Sequence, residues 1–371
     1  MFYDVIVLGV GAMGSAACYA LAKRGVNVLG IEQFTLGNRF GSSHGKTRLI
    51  RKAYFEHPDY VPLCERSFEL WDEICDEAGR GLLHRNGLVT FGPNPEAGVL
   101  KGVRESARLY GVEIENYAAT QAKDRFPGIT PPEGYHAVFE PGAGYLEVEA
   151  SVQTMAWLSQ NRAAEVNTEE TVTSWKVDAG EVEVRTNRGC YRAKRLVVTA
   201  GPWSGTILKE LGLPLTVRRV PQFWFSFSTP LMAKAPMPCF AFDLPEGFVY
   251  GMPPVGGAGL KLASHVPAEV ISDPMQVNRD ITEDDLKKVE RVRSQCFHGL
   301  KSQPESYDVC LYTLTPDEHF IVDVHPEHPQ VSFAAGFSGH GFKFAPIIGE
   351  VLADLALQGK SDEPVGFLKI R

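Results

Sequence analysis

The chain opens on an apolar run, DVIVLG, that passes into Gly9, Gly11 and Gly14, continues through a stretch of helical character, and meets a second apolar run, VNVLGIE, ending on Glu32. Short continuous apolar runs bounded by glycine predict strands buried on both faces, and two of them around a helix predict a parallel βαβ unit. Each glycine has a mechanical reason. Gly9 permits the tight strand-to-helix turn, Gly11 lets the backbone approach a pyrophosphate, and Gly14 lets the helix pack closely on the strand. Glu32 stands where a carboxylate accepts hydrogen bonds from a ribose diol and repels a 2′-phosphate, so the unit predicts FAD or NAD rather than NADP.

Further on, helical spacing of apolar positions predicts a helix through YVPLCERSFELWDEIC, and others around Val99 to Tyr110, from Glu147, near Asp284 to Cys296, and from Pro346. Strand-like text appears in LVTF, YHAVFE, TVTSWKV, EVEVRT, RRVPQFWFSFS, FVYGMP, GLKLASH and HFIVDV. RLVVTAGPWS reads as a buried parallel strand running into a glycine turn at a nucleotide-facing edge. The alternation predicts two discontinuous domains that interleave. Residues 1–80, 144–214 and 317–371 form the cofactor domain, and 81–143 and 215–316 the substrate domain, an α/β plus α+β organisation.

Composition narrows the function. The 371 residues carry a net charge of −8, which disfavours sequence-independent binding to nucleic acid or an anionic membrane, because both need clustered cations. No run approaches the ~20 apolar residues of a membrane span. Asp4 interrupts the first apolar run, which reads as a strand rather than a signal peptide. The seven cysteines are odd in number and form no C-x-x-C pair, which suits a reducing, cytoplasmic compartment. No zinc pattern accompanies the ten histidines, and the closing LKIR carries no peroxisomal address.

Three segments could carry chemistry. Gly336, Gly339, His340 and Gly341 precede the last helix, where backbone N–H groups and a positive dipole end face an anion or an electron-rich ring edge. Lys343 beside them is either a solvated lysine or a fixed cation at that spot. In SSHGKTRLIR, residues 42 to 51, Ser42, Ser43 and backbone amides can hold phosphate, and Arg48 and Arg51, three apart, share a face if the segment is helical. Lys261, in GLKLASH, points opposite to Leu260 and Leu262 on an alternating strand, either to solvent or into a site.

Taken together, GSSHGKTRLIR, YGMP, GLKLASH, C-x-Y-T-x-T-P-D-E-H-F and GFSGHGFKF, in this order from Asp4 almost to the C-terminus, resemble the monomeric sarcosine oxidase and N-methyltryptophan oxidase family of flavoprotein amine oxidases. The resemblance implies an FAD-binding, Rossmann-like domain of the glutathione-reductase type interleaved with a mixed-sheet substrate domain. It implies a monomer that oxidises a secondary amino acid, sarcosine first, to an imine that hydrolyses to amino acid and formaldehyde, with O2 reduced to hydrogen peroxide. Fructosyl amino acids, N-methyltryptophan or pipecolate are alternative substrates on the same scaffold, and a flavin-binding redox protein without oxidase activity is the alternative of another class.

By position, the resemblance implies that Cys310 links covalently to the 8α-methyl carbon of the flavin and that Lys261 activates oxygen. Arg51 and Lys343 match the pair that binds the substrate carboxylate, and Tyr250 and His265 match residues lining the substrate side. Arg48 matches an arginine lying against the flavin, while Ser43 and His44 match positions near the cofactor. The chain departs from the family pattern at Ser43 and Lys46, where a second histidine and an aspartate are frequent, and at Lys52, where a histidine is. Around Cys239 to Phe242 the substrate side chain is expected, with Phe240 and Phe242 bracketing Ala241.

Overall fold

Phe2–Leu8 and Val28–Ile31 pair in parallel around the helix Ala12–Lys23, the arrangement that the opening pattern predicts. The structure, a computed structural model, describes residues 2–229, 237–266 and 268–371. Phe2–Leu8 also pairs in parallel with Cys190–Val198, and that strand pairs in parallel with Val331–Ala335. Four strands from three regions far apart in sequence thus meet in one sheet with their carboxyl ends on one side. That edge is where an open parallel sheet binds its ligand. An antiparallel extension, Val172–Asp178 and Glu181–Thr186, continues the sheet beyond Cys190–Val198.

Small residues dominate Ala12–Lys23, AMGSAACYALAK, and this lets the helix approach its neighbours closely. A Cβ on Gly14 would lie 1.8 Å from the Gly9 carbonyl oxygen, and one on Gly349 would lie 2.7 Å from the Ala16 Cβ. The helix is therefore wedged between its own preceding turn and the closing helix, Ala345–Gln358. Val148–Gln160 and Tyr60–Ala78 complete the helical layer over a core that includes Val7, Leu21, Trp71 and Ile348, each fully buried.

A second, mostly antiparallel sheet runs in the order Ser306–Leu314, Thr216–Phe225, Leu260–Ser264, Gly247–Met252, Cys239–Leu244, Leu88–Gly92, His136–Glu140, Glu115–Tyr117. One pair, Cys239–Leu244 with Leu88–Gly92, is parallel. A small third sheet joins Thr47–Ile50, Gly144–Glu147 and Leu83–His84. The segment carrying Arg48 is therefore a strand, and the helical condition for Arg48 and Arg51 sharing a face fails. Pairing with Gly144–Glu147 takes its backbone hydrogen bonds, and Arg51 lies just past the strand's end. The predicted helix to Cys296 is α-helical over Glu283–Arg291 and widens into a π-turn at Val292–Cys296. No helix among the described residues is long and apolar enough to cross a membrane.

Candidate active site

The carboxyl edge of the parallel sheet opens into a cavity of about 290 Å³, lined among others by Gly9, Gly11, Glu32, Ser42, Ser43, Arg48, Cys310, Gly339 and Gly341. Gly9 has φ +87°, and a Cβ there would lie 2.6 Å from the Thr199 carbonyl oxygen, so the turn tolerates only glycine. A Cβ on Gly11 would meet only the Ser43 hydroxyl, at 3.4 Å, and would otherwise project into the cavity. The Ser43 oxygen accepts from the Ala12 amide at 3.1 Å, at the N-terminus of the first helix. Glu32 accepts from the amides of Val10 and Phe34, at 2.9 and 3.0 Å. Burial pushes its pKa up, against these bonds. A turn without side chains, an amide-rich helix start and a buried carboxylate fit the pyrophosphate and ribose of a dinucleotide.

Gly339, with φ +82°, packs so tightly that a Cβ would overlap the Tyr312 ring. Gly14 lies beneath the cavity and does not line it. Lys343, grouped with the cofactor residues from the sequence, lines a second pocket instead. His44 also stays out of both linings and is buried.

The second pocket adjoins the cavity across Arg48, Gly339 and Phe342, which line both, and has a volume of about 60 Å³. Arg51, Tyr250, His265 and Lys343, the four residues assigned to the substrate side, all line it. Lys343 is buried rather than solvated. Its backbone carbonyl accepts from the Trp71 indole at 2.9 Å and from the Ser67 hydroxyl, so the long helix Tyr60–Ala78 fixes it. Its ammonium donates to the His340 carbonyl at 2.6 Å and to the Tyr54 hydroxyl at 3.3 Å. Burial, then the Arg51 charge, brings its pKa down to about 7. Burial also lowers the pKa of His265.

Phe240 and Phe242, expected beside the substrate, face away. They are fully buried in the second sheet's core, where Phe242 stacks on Phe91 and Phe240 meets Phe297. Strand alternation turns Ala241 to the opposite face, and Ala241 lines the pocket with Leu88, Thr90 and Phe248.

Three residues that sequence reasoning passed over belong here. Glu56 lines the pocket, and both its carboxylate oxygens accept from Arg51. Tyr312 lies between Tyr250 and His265, with its hydroxyl 3.3 Å from each. It is two residues from Cys310 on one strand, so period-two reading from Cys310 finds it. Tyr54 links Lys343 to His340, whose Nδ1 is 2.6 Å from the tyrosine hydroxyl.

At the cavity wall, Arg48 donates to the Cys310 sulfur at 3.1 Å and to Ser42 O and Gln222 Oε1, each at 3.2 Å. Burial raises a thiol's pKa, but the Arg48 charge, then His44 and Lys261, outweigh it and bring Cys310 down to about 7. Lys261 is buried and lines neither cavity. Its ammonium donates to the carbonyls of Gly45 and Thr47, at 2.7 and 2.8 Å, and sits 5.2 Å from the Trp224 ring centroid. Burial, with Arg48 adding to it, presses its pKa well below the ordinary lysine value. No three metal-ligating side chains converge among the described residues.

The chain is 38% identical to the monomeric sarcosine oxidase of Bacillus sp. (strain B-0618), over 99% of this chain and 95% of that one. It is 34% identical to the N-methyl-L-tryptophan oxidase of Yersinia pestis (strain Pestoides F), over 95% of this chain and 94% of that one. Among solved structures, the open form of NikD, an unusual amino acid oxidase essential for nikkomycin biosynthesis, superposes with a TM-score of 0.87 at 25% identity, covering 100% of this chain and 98% of that one. L-proline dehydrogenase from P. horikoshii shares the fold with a TM-score of 0.87 at 22% identity, covering 99% and 96%. The match to the family of FAD dependent oxidoreductases extends over residues 4–355. With a glycine turn, helix start and ribose-side carboxylate placed for a dinucleotide, and this match over nearly its whole length, the chain belongs to the FAD dependent oxidoreductase family.

Proposed function

We propose that the protein is an oxidase of N-methyl amino acids, with sarcosine the first substrate, using O2 as electron acceptor and acting as a monomer. The observation that carries this reading is the convergence of Arg51 and Lys343 on a small pocket that adjoins the cofactor cavity. A guanidinium and an ammonium at one end of a pocket suit a carboxylate. The relatives named for sarcosine and N-methyltryptophan support the substrate class, and a pocket of about 60 Å³ supports a small amino acid over a tryptophan or fructosyl derivative.

FAD, which Gly9, Gly11, Glu32, Ser43 and Cys310 would hold in the larger cavity, would supply two-electron redox chemistry between the amine substrate and O2. The chain's own residues do the rest. Arg51 and Lys343 hold the carboxylate, and Tyr250 and His265, tied through Tyr312, orient the amine. Positive charge around the site disfavours a protonated amine, so no strong general base is required. Phe55 and Phe248, with ring centroids 5.4 Å apart, wall the pocket against water. Lys261 serves oxygen activation, and Cys310 tethers the flavin. Residues 1–80, 144–214 and 317–371 are taken as the half that holds the cofactor, and 81–143 and 215–316 as the half that covers the substrate.

The test is anaerobic mixing of the purified protein with sarcosine while flavin absorbance is followed, then admission of air with a peroxide assay. Bleaching followed by recovery and stoichiometric peroxide is the expected result. Full flavin content with no bleaching by sarcosine or any other N-methyl amino acid would discard the reading.

A further inference from the structure

Asp308 lies two residues before Cys310 on the strand Ser306–Leu314, so both side chains leave the same face of the sheet. Its carboxylate spans two side chains of the loop that precedes Thr47–Ile50. Oδ1 accepts from Arg39 Nη2 at 2.9 Å, and Oδ2 lies 3.6 Å from His44 Nδ1. His44 is enclosed, and among the described residues neither of its ring nitrogens has a hydrogen-bond partner at ordinary distance. Burying an imidazole with both nitrogens unpaired is costly, and the carboxylate beside it is Asp308, while the Cys310 thiol and the Arg48 guanidinium act on it with opposite signs.

We propose that Asp308 is a positioning residue for Cys310: it holds His44 as an imidazolium against the sulfur and so keeps the thiol ionised for attachment of the flavin. The inference rests on the reading of Cys310 as the flavin tether. Net attachment joins Sγ to the 8α-methyl carbon. The S–H bond and one methyl C–H bond break, and dioxygen takes the electron pair and both protons, so that thiol, ring methyl and O2 give thioether and hydrogen peroxide.

The surrounding charges explain why a carboxylate is needed. Arg48 donates to the same sulfur and Lys261 adds a second positive charge to its surroundings, Arg279 and the hydroxyls of Tyr250 and Tyr312 act on the same cluster, and Glu149 adds a negative charge. Burial and Arg48 both act to strip His44 of its proton, yet Asp308 and then the thiolate raise it to about 9. Without Asp308 the first of these supports goes, and a neutral His44 no longer stabilises the thiolate. Arg39, largely exposed, steadies Asp308 from the solvent side.

The experiment follows flavin attachment in the full chain. Wild type, Asp308→Asn, Asp308→Glu and Arg39→Gln are purified, saturated with FAD in air at pH 7 or pH 9, and precipitated with acid at intervals. Yellow colour is then compared between pellet and supernatant. A rise of about one unit in the thiol pKa cuts the thiolate fraction about fivefold at pH 7 and hardly at pH 9. Asp308→Asn is therefore expected to attach flavin about fivefold more slowly at pH 7, with the gap closing at pH 9 and Asp308→Glu restoring the rate. Wild-type attachment in Asp308→Asn at pH 7, or equal slowing at both pH values, overturns the proposal, since a structural role would not follow pH. If Asp308→Asn holds no FAD, Arg39→Gln decides: a smaller slowing confined to pH 7 supports the proposal, and an unchanged rate overturns it. Wild-type flavin found wholly in the supernatant overturns the tether reading and the proposal with it.

Discussion

Glu56 occupies Arg51: a single guanidinium nitrogen, Nη2, donates to both carboxylate oxygens at 2.6 Å. The rings of Tyr54 and Phe55 lie 4.1 and 4.3 Å from the same guanidinium. Burial opposes the Glu56 charge, but Arg51, His340 and Lys343 outweigh it and hold its pKa at about 2. The protein thus presents its own carboxylate to the cation proposed to bind that of the substrate.

Glu56→Gln removes this competing charge and leaves Arg51 buried without its counter-ion. Charge-assisted hydrogen bonds contribute about 1.5–3 kcal/mol each. The variant is expected to show a KM for sarcosine roughly tenfold lower, a kcat within about twofold of wild type, and a lower Tm that a carboxylate ligand raises more than it raises wild type. Steady-state kinetics and thermal melts with and without ligand check this. The folded pKa of Glu56 lies below its ordinary 4.5, so its contribution to stability is complete above that pH and is lost as pH falls towards about 2. The variant lacks that part of the acid dependence.

Lys343 gives the same sign of pH dependence, although here the shift disfavours the charged form. Its folded pKa of about 7 lies below the ordinary 10.5, so between these values the unfolded chain binds one more proton than the folded one. Stability from this group rises with pH across that window. Lys343→Met is expected to flatten the rise in denaturant titrations from pH 7 to 10. It is also expected to raise the KM for sarcosine about tenfold or more at pH 6, with the difference from wild type shrinking above pH 7 as the native lysine loses its charge.

Lys261 is anchored by two backbone carbonyls rather than by a carboxylate, so its replacement frees no buried anion. Lys261→Met is expected to slow flavin reoxidation by roughly a hundredfold, the scale for losing one electrostatic stabiliser, while the anaerobic reductive half-reaction changes by less than about threefold. Stopped-flow traces in which both half-reactions slow equally would remove the oxygen-activating role.

Ala241 bounds the small pocket with a single methyl. Ala241→Leu fills space beside Thr90 and Tyr250 and is expected to lower kcat/KM for N-methyl-L-alanine at least about tenfold more than for sarcosine, since a few methylenes in a tight pocket carry about 1–3 kcal/mol of discrimination. Equal losses on the two substrates would place the substrate side chain elsewhere.

The opening turn was legible because its signals are local: glycine spacing, apolar runs and Glu32 lie within one βαβ unit. Alternation likewise placed Lys261 opposite Leu260 and Leu262, which are buried in the second sheet's core. What escaped depends on distant pairing. Arg48 sits on a strand whose partner is almost a hundred residues away, at Gly144–Glu147, so its direction is not written beside it. Ala241 rather than its phenylalanine neighbours meets the pocket because Cys239–Leu244 pairs with Leu88–Gly92 in one register. Glu56 follows Arg51 through an irregular segment with no period, and Asp308 gains meaning only when a loop near residue 40 is laid against its strand.

The order of strands in the first sheet has a consequence for synthesis. Phe2–Leu8 emerges from the ribosome first, yet its neighbour Cys190–Val198 follows some 180 residues later, and Val331–Ala335 later still. The sulfur of Cys310 and the ammonium of Lys343 also lie beyond residue 300. A nascent chain stopped near residue 300 therefore carries the glycine turn without the strand that closes its sheet, and it lacks both groups. Cofactor capture that uses these groups must wait until residues 310–343 have been made, and the early strands stay without their late partners until then.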